Sequence, residues 1–304
     1  MHKIFIDGRS GTVGLALEAR LKARQDLQLL TLPEELLLDK AARAEMLNSA
    51  DLSFLCLPDD VAREAVALTT NPDSVIIDAS TAHRTAPGWA YGMPELGPKF
   101  RRAIETGRRI AGPGCHASGF IALVRPLIEA GLLAKDAKLS CLSLTGYTGG
   151  GLAMIEQYEA ASRTRGDALS APLQYALGQE HKHLPEMAAH TGLTHAPAFC
   201  PVIADFDRGM EVTIPIHGFS RAAVLACYQE FYQNAAMIRV VESAEPRPAN
   251  YMRGRDSMEI TVAGNDERLL LIARFDNLGK GASGAALQCM NVSLGVNETE
   301  GLVV

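Results

Sequence analysis

The stretch Gly112-Pro113-Gly114-Cys115-His116-Ala117-Ser118-Gly119 sets one cysteine at or just before the start of a helix, directly after a glycine-proline turn. A thiol in that place is acidified by the helix dipole, so more of it is thiolate at neutral pH, and the flanking glycines leave it accessible. That is the setting of a nucleophile; a cysteine that merely fills the turn is the plainer alternative. Of the other cysteines, Cys56, Cys141, Cys227 and Cys289 fall among apolar residues of strands and helices, as buried thiols do, and Cys200 reads as a loop residue. No C-x-x-C pair occurs, which argues against a structural zinc site or a disulfide framework.

A second group is Glu180-His181-Lys182-His183-Leu184-Pro185-Glu186. The chain ahead of a proline is biased to extended conformations, so two histidines two residues apart could point the same way. An imidazole facing Cys115 would serve as acid or base near neutral pH. Two solvated histidines would read alike, and no third ligand stands at a zinc-like spacing, so no metal is expected. His2, His83, His190, His195 and His217 stand singly and read as surface or packing residues.

The third group is Gly8-Arg9-Ser10-Gly11-Thr12-Val13-Gly14, between an apolar strand and an amphipathic helix. Glycines in this context permit a tight turn and close approach of a pyrophosphate, which the helix N-terminus attracts. A tight strand-to-helix turn without a nucleotide remains the alternative. No acidic residue stands right at the end of the second strand near Leu32-Pro33, although Glu34 and Glu35 follow. That favours a 2′-phosphorylated cofactor, with Arg9 as a cationic neighbour. Arg84 follows the fourth strand in Ser80-Thr81-Ala82-His83-Arg84. Ligands of open parallel sheets bind beyond the strand carboxyl ends, and arginine suits a phosphate or carboxylate; a solvated arginine fits the residue type nearly as well.

These residues need elements to position them. Lys3–Asp7, Leu27–Leu32, Asp51–Leu57, Ser74–Ala79 and Arg108–Gly112 read as short apolar strands, alternating with helices over Thr12–Arg24 and from Pro58 to Leu68. Pro58 suits the first turn of that helix. The pattern is that of βαβ units and a parallel sheet. Beyond a helix over Ser118–Ala130, strands over Lys138–Leu144, Met210–Ile216, Met237–Glu242, Ser257–Ala263 and Arg268–Phe275 include a hairpin at Gly264-Asn265-Asp266-Glu267. Hairpins imply a mixed or antiparallel sheet and a second, α+β domain. Ala282–Leu294 is apolar nearly all round and reads as a buried helix.

The bulk properties read as those of an ordinary globular, soluble chain. The 304 residues exceed what one core usually fills, since cores stop growing near ~250–300 residues. With 47% hydrophobic and 21% charged residues, the chain is neither disordered nor fibrous. A net charge of −6 argues against a nucleic-acid partner. No apolar run approaches the ~18–20 residues of a membrane span, and the N-terminus enters a strand without a signal-peptide core, so no membrane partner and a cytoplasmic location are expected.

Taken together, GRSGTVG, CLPDD, the loop ending at Arg84, YGMPEL, GPGC, HKHLPE and DNLGKGASGAALQCMN run in order from Gly8 to Asn291. In that combination the chain resembles the N-acetyl-gamma-glutamyl-phosphate reductases, particularly their short form. That family shares its fold and chemistry with aspartate-semialdehyde and glyceraldehyde-3-phosphate dehydrogenases. The resemblance implies a Rossmann domain over residues 1–114 and an α+β mixed-sheet domain of the glyceraldehyde-3-phosphate dehydrogenase type over 115–281. Residues 282–304 would form a C-terminal helix that returns to the nucleotide domain. It implies NADPH-dependent reduction of an acyl phosphate through a cysteine thioester in arginine biosynthesis, by a homo-oligomer (dimer or tetramer).

The resemblance puts the nucleophile at Cys115 and the acid/base at His181, with His183 the second choice. Substrate contacts fall on Arg84, His183 and Gly149. Cofactor contacts fall on Gly8, Ser10, Gly11, Thr12, Val13, Leu57, Pro58, Ser80, Asn277, Lys280 and Gly281. The chain departs from the family pattern where Asn commonly precedes Pro-Gly-Cys and an aromatic follows it: here those residues are Gly112 and His116. The loop Gly146–Gly151 is also richer in glycine and more aromatic than the family's serine-glycine loop. Both departures fall near the expected substrate, so aspartyl and aminoadipyl phosphates stand beside N-acetylglutamyl phosphate as candidates. A non-catalytic NADP-binding sensor is the alternative of another class; it would not need a reactive Cys115.

Overall fold

The computed structural model describes residues 1–164, 166–242 and 245–304. The chain divides into two compact units. One comprises Met1–Pro94, Pro98–Pro113 and Ala282–Leu302; the other comprises Glu95–Gly97, Gly114–Gly281 and Val303–Val304.

The first unit runs β1 (His2–Asp7), α1 (Thr12–Leu21), β2 (Leu27–Leu30), α2 (Lys40–Ser49), β3 (Leu52–Leu55), α3 (Asp59–Leu68), β4 (Val75–Asp78), β5 (Ala90–Tyr91), α4 (Pro98–Thr106) and β6 (Arg109–Ala111). The six strands form one sheet in the order β2-β1-β3-β4-β6-β5, every pair parallel. Successive side chains of a strand point to opposite faces. Ile4, Ile6, Phe54 and Ile77 accordingly join one buried cluster with Leu17 and Ile110, while Phe5, Leu55 and Ile76 join another with Leu47, Ala62 and Ala65. A sheet covered on both faces needs apolar residues at every strand position, which is why these strands read as continuous apolar runs.

The second unit runs α5 (Cys115–Glu129), β7 (Ser140–Gly146), α6 (Leu152–Tyr158), β8 (Leu173–Gln174), α7 (Leu184–Thr191), β9 (Ala198–Ala204), β10 (Met210–His217), α8 (Arg221–Phe231), β11 (Ile238–Val241), β12 (Met258–Asn265) and β13 (Arg268–Phe275). Its seven strands are ordered β11-β12-β13-β10-β7-β9-β8, with β11/β12 and β7/β9 parallel and the other neighbours antiparallel. The expected hairpin closes between β12 and β13, where Asn265 pairs with Arg268 and accepts at Oδ1 from the Glu267 and Arg268 N–H groups. Helix α5 packs on β10 and β13, and α8 on β12. The Tyr228 and Tyr232 hydroxyls of the α8 segment donate to the carbonyls of Leu123 and Ala122, pinning α8 to α5. The last helix, α9 (Gly284–Leu294), belongs to the first unit, where Leu287, Cys289, Met290 and Val292 enter the cluster around Leu17 and Phe54.

Some local expectations change. Helix α5 starts at Cys115, three residues before the predicted Ser118, because Gly114 in extended conformation already opens it. Cys200 lies within β9, paired with Leu142, and not in a loop. Pro58 is the residue just ahead of α3 and not in its first turn. The predicted α1 ends early, at Leu21, where Lys22 and Arg24 close the helix through short-range backbone bonds.

Candidate active site

In the second unit the Cys115 backbone is gripped from both sides. The Gly114 N–H ahead of it donates to Glu186 Oε1 at 2.7 Å, and Glu186 is buried at the start of α7. Across from it runs Gly281: a Cβ there would sit 3.0 Å from the Cys115 Cβ and 3.2 Å from the Asp276 carbonyl oxygen, so a side chain would push on the cysteine. Gly281 lies in a π-helical turn, Gly279–Ser283, a form of helix often found at functional sites. No side chain caps α5, so its first N–H groups and positive dipole end lie at the cysteine. Burial pushes the Cys56 thiol up to about 12 and raises that of Cys141, so both stay protonated.

Three histidine rings meet around His116, the second residue of α5. His116 lies 5.5 Å from both His181 and His183, centroid to centroid, and these two lie 4.7 Å apart. The route differs from the one expected. His183 is helical and the chain before it turns, so the pair is not extended. The turn lets the His183 N–H donate to His181 Nδ1 at 3.1 Å, which puts the neutral His181 proton on Nε2. His183 is buried at the mouth of α7, whereas His181 is only half-buried.

His116 is buried, with Nδ1 2.7 Å from Ser143 Oγ and Nε2 2.7 Å from Tyr175 OH. Desolvation, with the His181 charge second, lowers its pKa to about 3, so the ring is neutral in ordinary buffers. Phe199 walls the group, its ring 5.2 Å from His116 and 5.1 Å from His181. Between Tyr175 and His181 the backbone takes left-handed turns at Ala176 and Gln179, φ 52° and 58°. Non-glycine residues resist this conformation, and it tends to gather at functional sites. The Gln179 amide holds the bend by bonding the N–H and carbonyl of Phe199, each at 2.8 Å.

The residues expected to face substrate or cofactor from loops of this unit are also placed. Asn277 bridges Thr148 Oγ1 at 2.9 Å and the Gly209 N–H at 2.9 Å, and Gly149 lies against Asn277 and Thr145. Fully buried Asp276 accepts from Arg208 and from the N–H groups of Gly254, Leu278 and Gly279, which shapes the loop. Lys280 is buried, and its ammonium lies 2.5 Å from Glu95 Oε1. Glu186, Ser143, Tyr175, Gln179 and Glu95 are absent from the sequence-based set. Two stood inside quoted motifs, Glu186 in HKHLPE and Glu95 in YGMPEL, and a buried acid within a motif was the available signal.

The first unit carries the glycine turn. Gly8 has φ +86°, and a Cβ there would lie 2.3 Å from the Cys56 carbonyl oxygen, so the β1–α1 turn and the β3–α3 loop touch through bare backbone. Leu57 and Pro58 continue that second loop, and Pro58 leads into α3. Gly11 opens α1 without a side-chain cap or an acidic first turn, and Ser10 beside it is exposed. Thr12 Oγ1 is buried without a hydrogen-bond partner, and Val13 packs at the edge of the core. An uncapped helix end, an unmet hydroxyl and bare backbone at Gly8 and Gly11 fit a dinucleotide pyrophosphate. Arg9 makes no ion pair among the described residues and lines a hollow with Thr31 at the end of β2.

Ser80 and Arg84 are structural as well as near the strand ends. Ser80 donates to buried Asp78, which also meets His83 Nδ1 at 2.6 Å, and His83 stacks on Trp89. Arg84 Nε donates to the Gly112 carbonyl at 2.9 Å and Nη2 to the Ala79 carbonyl at 3.1 Å. Its guanidinium thereby ties the loop after β4 to the end of β6. Among the described residues no group of three His, Cys, Asp or Glu side chains is arranged to hold a metal ion.

Two family profiles match the chain: the semialdehyde dehydrogenase NAD binding domain over residues 9–104 and the semialdehyde dehydrogenase dimerisation domain over residues 115–277. An aspartate semialdehyde dehydrogenase II from Vibrio cholerae complexed with ASA superposes with a TM-score of 0.73, covering 97% of this chain and 98% of that one at 13% identity. An aspartate semialdehyde dehydrogenase with NADP from Candida albicans gives 0.68 over 96% and 98% at 16% identity. At such identities these likenesses bear on the fold alone, and they agree with a Rossmann-type unit followed by a mixed-sheet unit. Sequence similarity reaches further. N-acetyl-gamma-glutamyl-phosphate reductase 2 of Pseudomonas putida is 42% identical, with 98% of both chains covered. The N-acetyl-gamma-glutamyl-phosphate reductase of Burkholderia cenocepacia is 42% identical with 97% of both covered, and reductase 2 of Nostoc 40% with 99%. Alike over its whole length to these reductases, and built on the two semialdehyde dehydrogenase domains, the chain belongs to the N-acetyl-gamma-glutamyl-phosphate reductase family.

Proposed function

We propose that this chain reduces N-acetyl-gamma-glutamyl phosphate to N-acetylglutamate semialdehyde and phosphate, a step of arginine biosynthesis, with NADPH as reductant. The observation that carries this reading is the near-complete coverage at 42% identity by reductases of that name, with a cysteine at the uncapped start of α5.

The Cys115 thiolate attacks the acyl phosphate carbonyl, and the C–O bond to phosphate breaks as the C–S bond forms. A thioester results, which a hydride can reduce where a free carboxylate is too poor an electrophile. NADPH supplies that hydride. His181 presents its Nε2 side to the reacting oxygen, because the His183 N–H occupies Nδ1, and handles the proton as the thiohemiacetal collapses to aldehyde and free thiol. Helix α5 lends its free N–H groups to the developing negative charge. Glu186 and Gly281 hold the cysteine backbone. Arg84 supplies positive charge at the strand ends while two of its donors tie down Gly112 and Ala79. Gly149 and Asn277 form the loop floor against which substrate and nicotinamide are held, and the Lys280–Glu95 pair fixes that loop.

In the first unit the Gly8–Val13 turn, with Leu57, Pro58 and Ser80, holds the dinucleotide. Arg9 and Thr31 receive the 2′-phosphate; Glu18, which lines the same hollow, is paired with Lys22, and no acidic residue stands in β2 itself. The enzyme works in the cytoplasm, where reducing conditions keep Cys115 a thiol. It works as a homo-oligomer: the outer face of the second sheet exposes Leu142 and Leu270, and the matching profile is that of a dimerisation domain.

The test is the reverse reaction: phosphate-dependent NADP+ reduction, assayed with N-acetylglutamate semialdehyde against aspartate and aminoadipate semialdehydes. The reading expects the first to be preferred by kcat/KM. Preference for either of the others reassigns the substrate and leaves the chemistry standing; no turnover with any of them favours the NADP-binding sensor.

A further inference from the structure

Just ahead of His181 a side chain takes the place of a strand residue. Strand β8 runs antiparallel to β9, with Leu173 opposite Ile203 and Gln174 opposite Val202, and the Tyr175 N–H carries the ladder on to the Pro201 carbonyl at 3.1 Å. Hydrogen-bonded pairs recur at every second residue of such a ladder, so the next would set Leu177 against Phe199. The backbone leaves instead. Ala176 is left-handed, the Gln179 N–H donates to the Ala176 carbonyl at 3.0 Å, and Leu177 stands exposed on the turn. Gln179 returns to the β9 edge with its amide: Nε2 donates to the Phe199 carbonyl and Oε1 accepts from the Phe199 N–H, each at 2.8 Å. A carboxylate of the same length could only accept. Gln179 holds this place at φ 58°, a conformation that non-glycine residues avoid. A mere connection would take glycine there, and the amide is what glycine lacks.

We propose that Gln179 is a positioning residue for His181: by filling the β9 edge at Phe199 with its side-chain amide, it fixes where the chain re-enters the histidine group and so where the His181 ring stands. His181 follows two residues later. The residue that the amide grips is one whose own ring touches it: the Phe199 ring lies 5.1 Å from that of His181 and 5.2 Å from that of His116. In that place His181 Nδ1 accepts from the His183 N–H at 3.1 Å, which keeps the proton of the neutral ring on Nε2. The effect on rate rests on the reading of His181 as the acid/base residue; the placement of the ring does not.

Gln179→Gly tests it, because glycine takes the left-handed conformation freely and only the amide is lost. Gln179→Glu keeps the length and, ionised at neutral pH, gives up the donor. In the full-length protein, assayed by phosphate-dependent NADP+ reduction, both should lower kcat by about 10- to 100-fold, the cost of a small misplacement of a reacting group. NADPH affinity and melting temperature should hold, since Gln179 is exposed and the nucleotide turn belongs to the other unit. Nitrogen NMR of histidine-labelled protein, with the His181 signals identified by their loss in His181→Asn, reads the placement without substrate: Nε2 protonated in the unaltered protein, a mixture of tautomers in Gln179→Gly. Adding Gln179→Gly to His181→Asn should lower kcat no further, because both act through one imidazole. Unaltered kcat or an unaltered His181 tautomer in Gln179→Gly overturns the proposal, as does a loss that adds in full to that of His181→Asn. Full activity of His181→Asn would bring down the acid/base reading instead, and the nitrogen spectrum alone would then decide the positioning.

Discussion

Two helices of this protein begin in the same way and are built for different tasks. Helix α1 opens at Gly11, φ −80° and ψ 164°, and α5 at Gly114, φ −74° and ψ 142°; neither has a side-chain cap. Each so presents unmet N–H groups and a positive dipole end to whatever lies beyond. At α1 the mouth is bare: Gly8 presses on the Cys56 carbonyl and Thr12 Oγ1 has no partner. At α5 the mouth is crowded with Glu186, His116, Tyr175 and the Gly281 backbone, drawn from segments up to 166 positions away by residue number. On the proposed function, an anion that must come and go meets the open helix end, and the thiolate held to a fixed line of attack meets the walled one.

Substitutions can break this contrast. The largest effect falls at the walled end. Cys115→Ser should lower turnover by at least about 10³-fold, while NADPH titration by fluorescence stays unchanged, because the nucleotide turn belongs to the other unit. His181→Asn follows, with kcat lower by about 10²–10⁴-fold and the pH-rate limb near 6–7 removed. Retention of that limb would move the role to His183. At the open end, Gly8→Ala combines a left-handed φ with a 2.3 Å clash and should destabilise the fold and lose NADPH together. Gly11→Ala meets nothing nearer than 3.7 Å, so its melting temperature should hold while NADPH binding weakens, since the added methyl takes space meant for phosphate. Equal loss of stability in both variants would mean the turn is merely tight.

The smallest effect concerns pH. The unfolded chain takes up a proton on His116 near 6.5, whereas the native ring resists until about 3. Native stability therefore falls as pH drops through that window, by at most about 1.4 kcal/mol per unit. His116→Phe should flatten this part of the urea-unfolding profile between pH 6.5 and 4; an unchanged slope would show that the ring protonates in place.

The contrast also explains what the sequence could reveal. The open end is local: strand, three glycines and helix lie within residues 3–21, and α1 starts at Thr12 as the periodicity puts it, though it ends sooner. Cys115 is readable for the same reason, because Gly114 alone decides where α5 starts. The wall around it is not local. Ser143 reaches His116 across 27 positions and Glu186 reaches Gly114 across 72, and neither residue type signals its partner. The histidine pair was legible as a pair but not in its backbone, since the turn at His181–His183 answers to α7 beginning at Leu184 and overrides the extended bias before Pro185. Strand β5, two residues long, and helix α2, charged and weakly patterned, left too little periodicity to find, whereas α4 is amphipathic, with Ala103 and Ile104 on its core side, and its signal stood in the sequence.

The central claim is that Cys115 carries the acyl group. Mixing the enzyme with N-acetyl-gamma-glutamyl phosphate without NADPH, quenching in acid and mapping peptides by mass spectrometry tests it most directly. The account predicts one phosphate released per subunit and one N-acetylglutamyl group on the peptide holding Cys115, discharged when NADPH is added. An acyl group on another residue, or full turnover with no acylated peptide at any time, would contradict it.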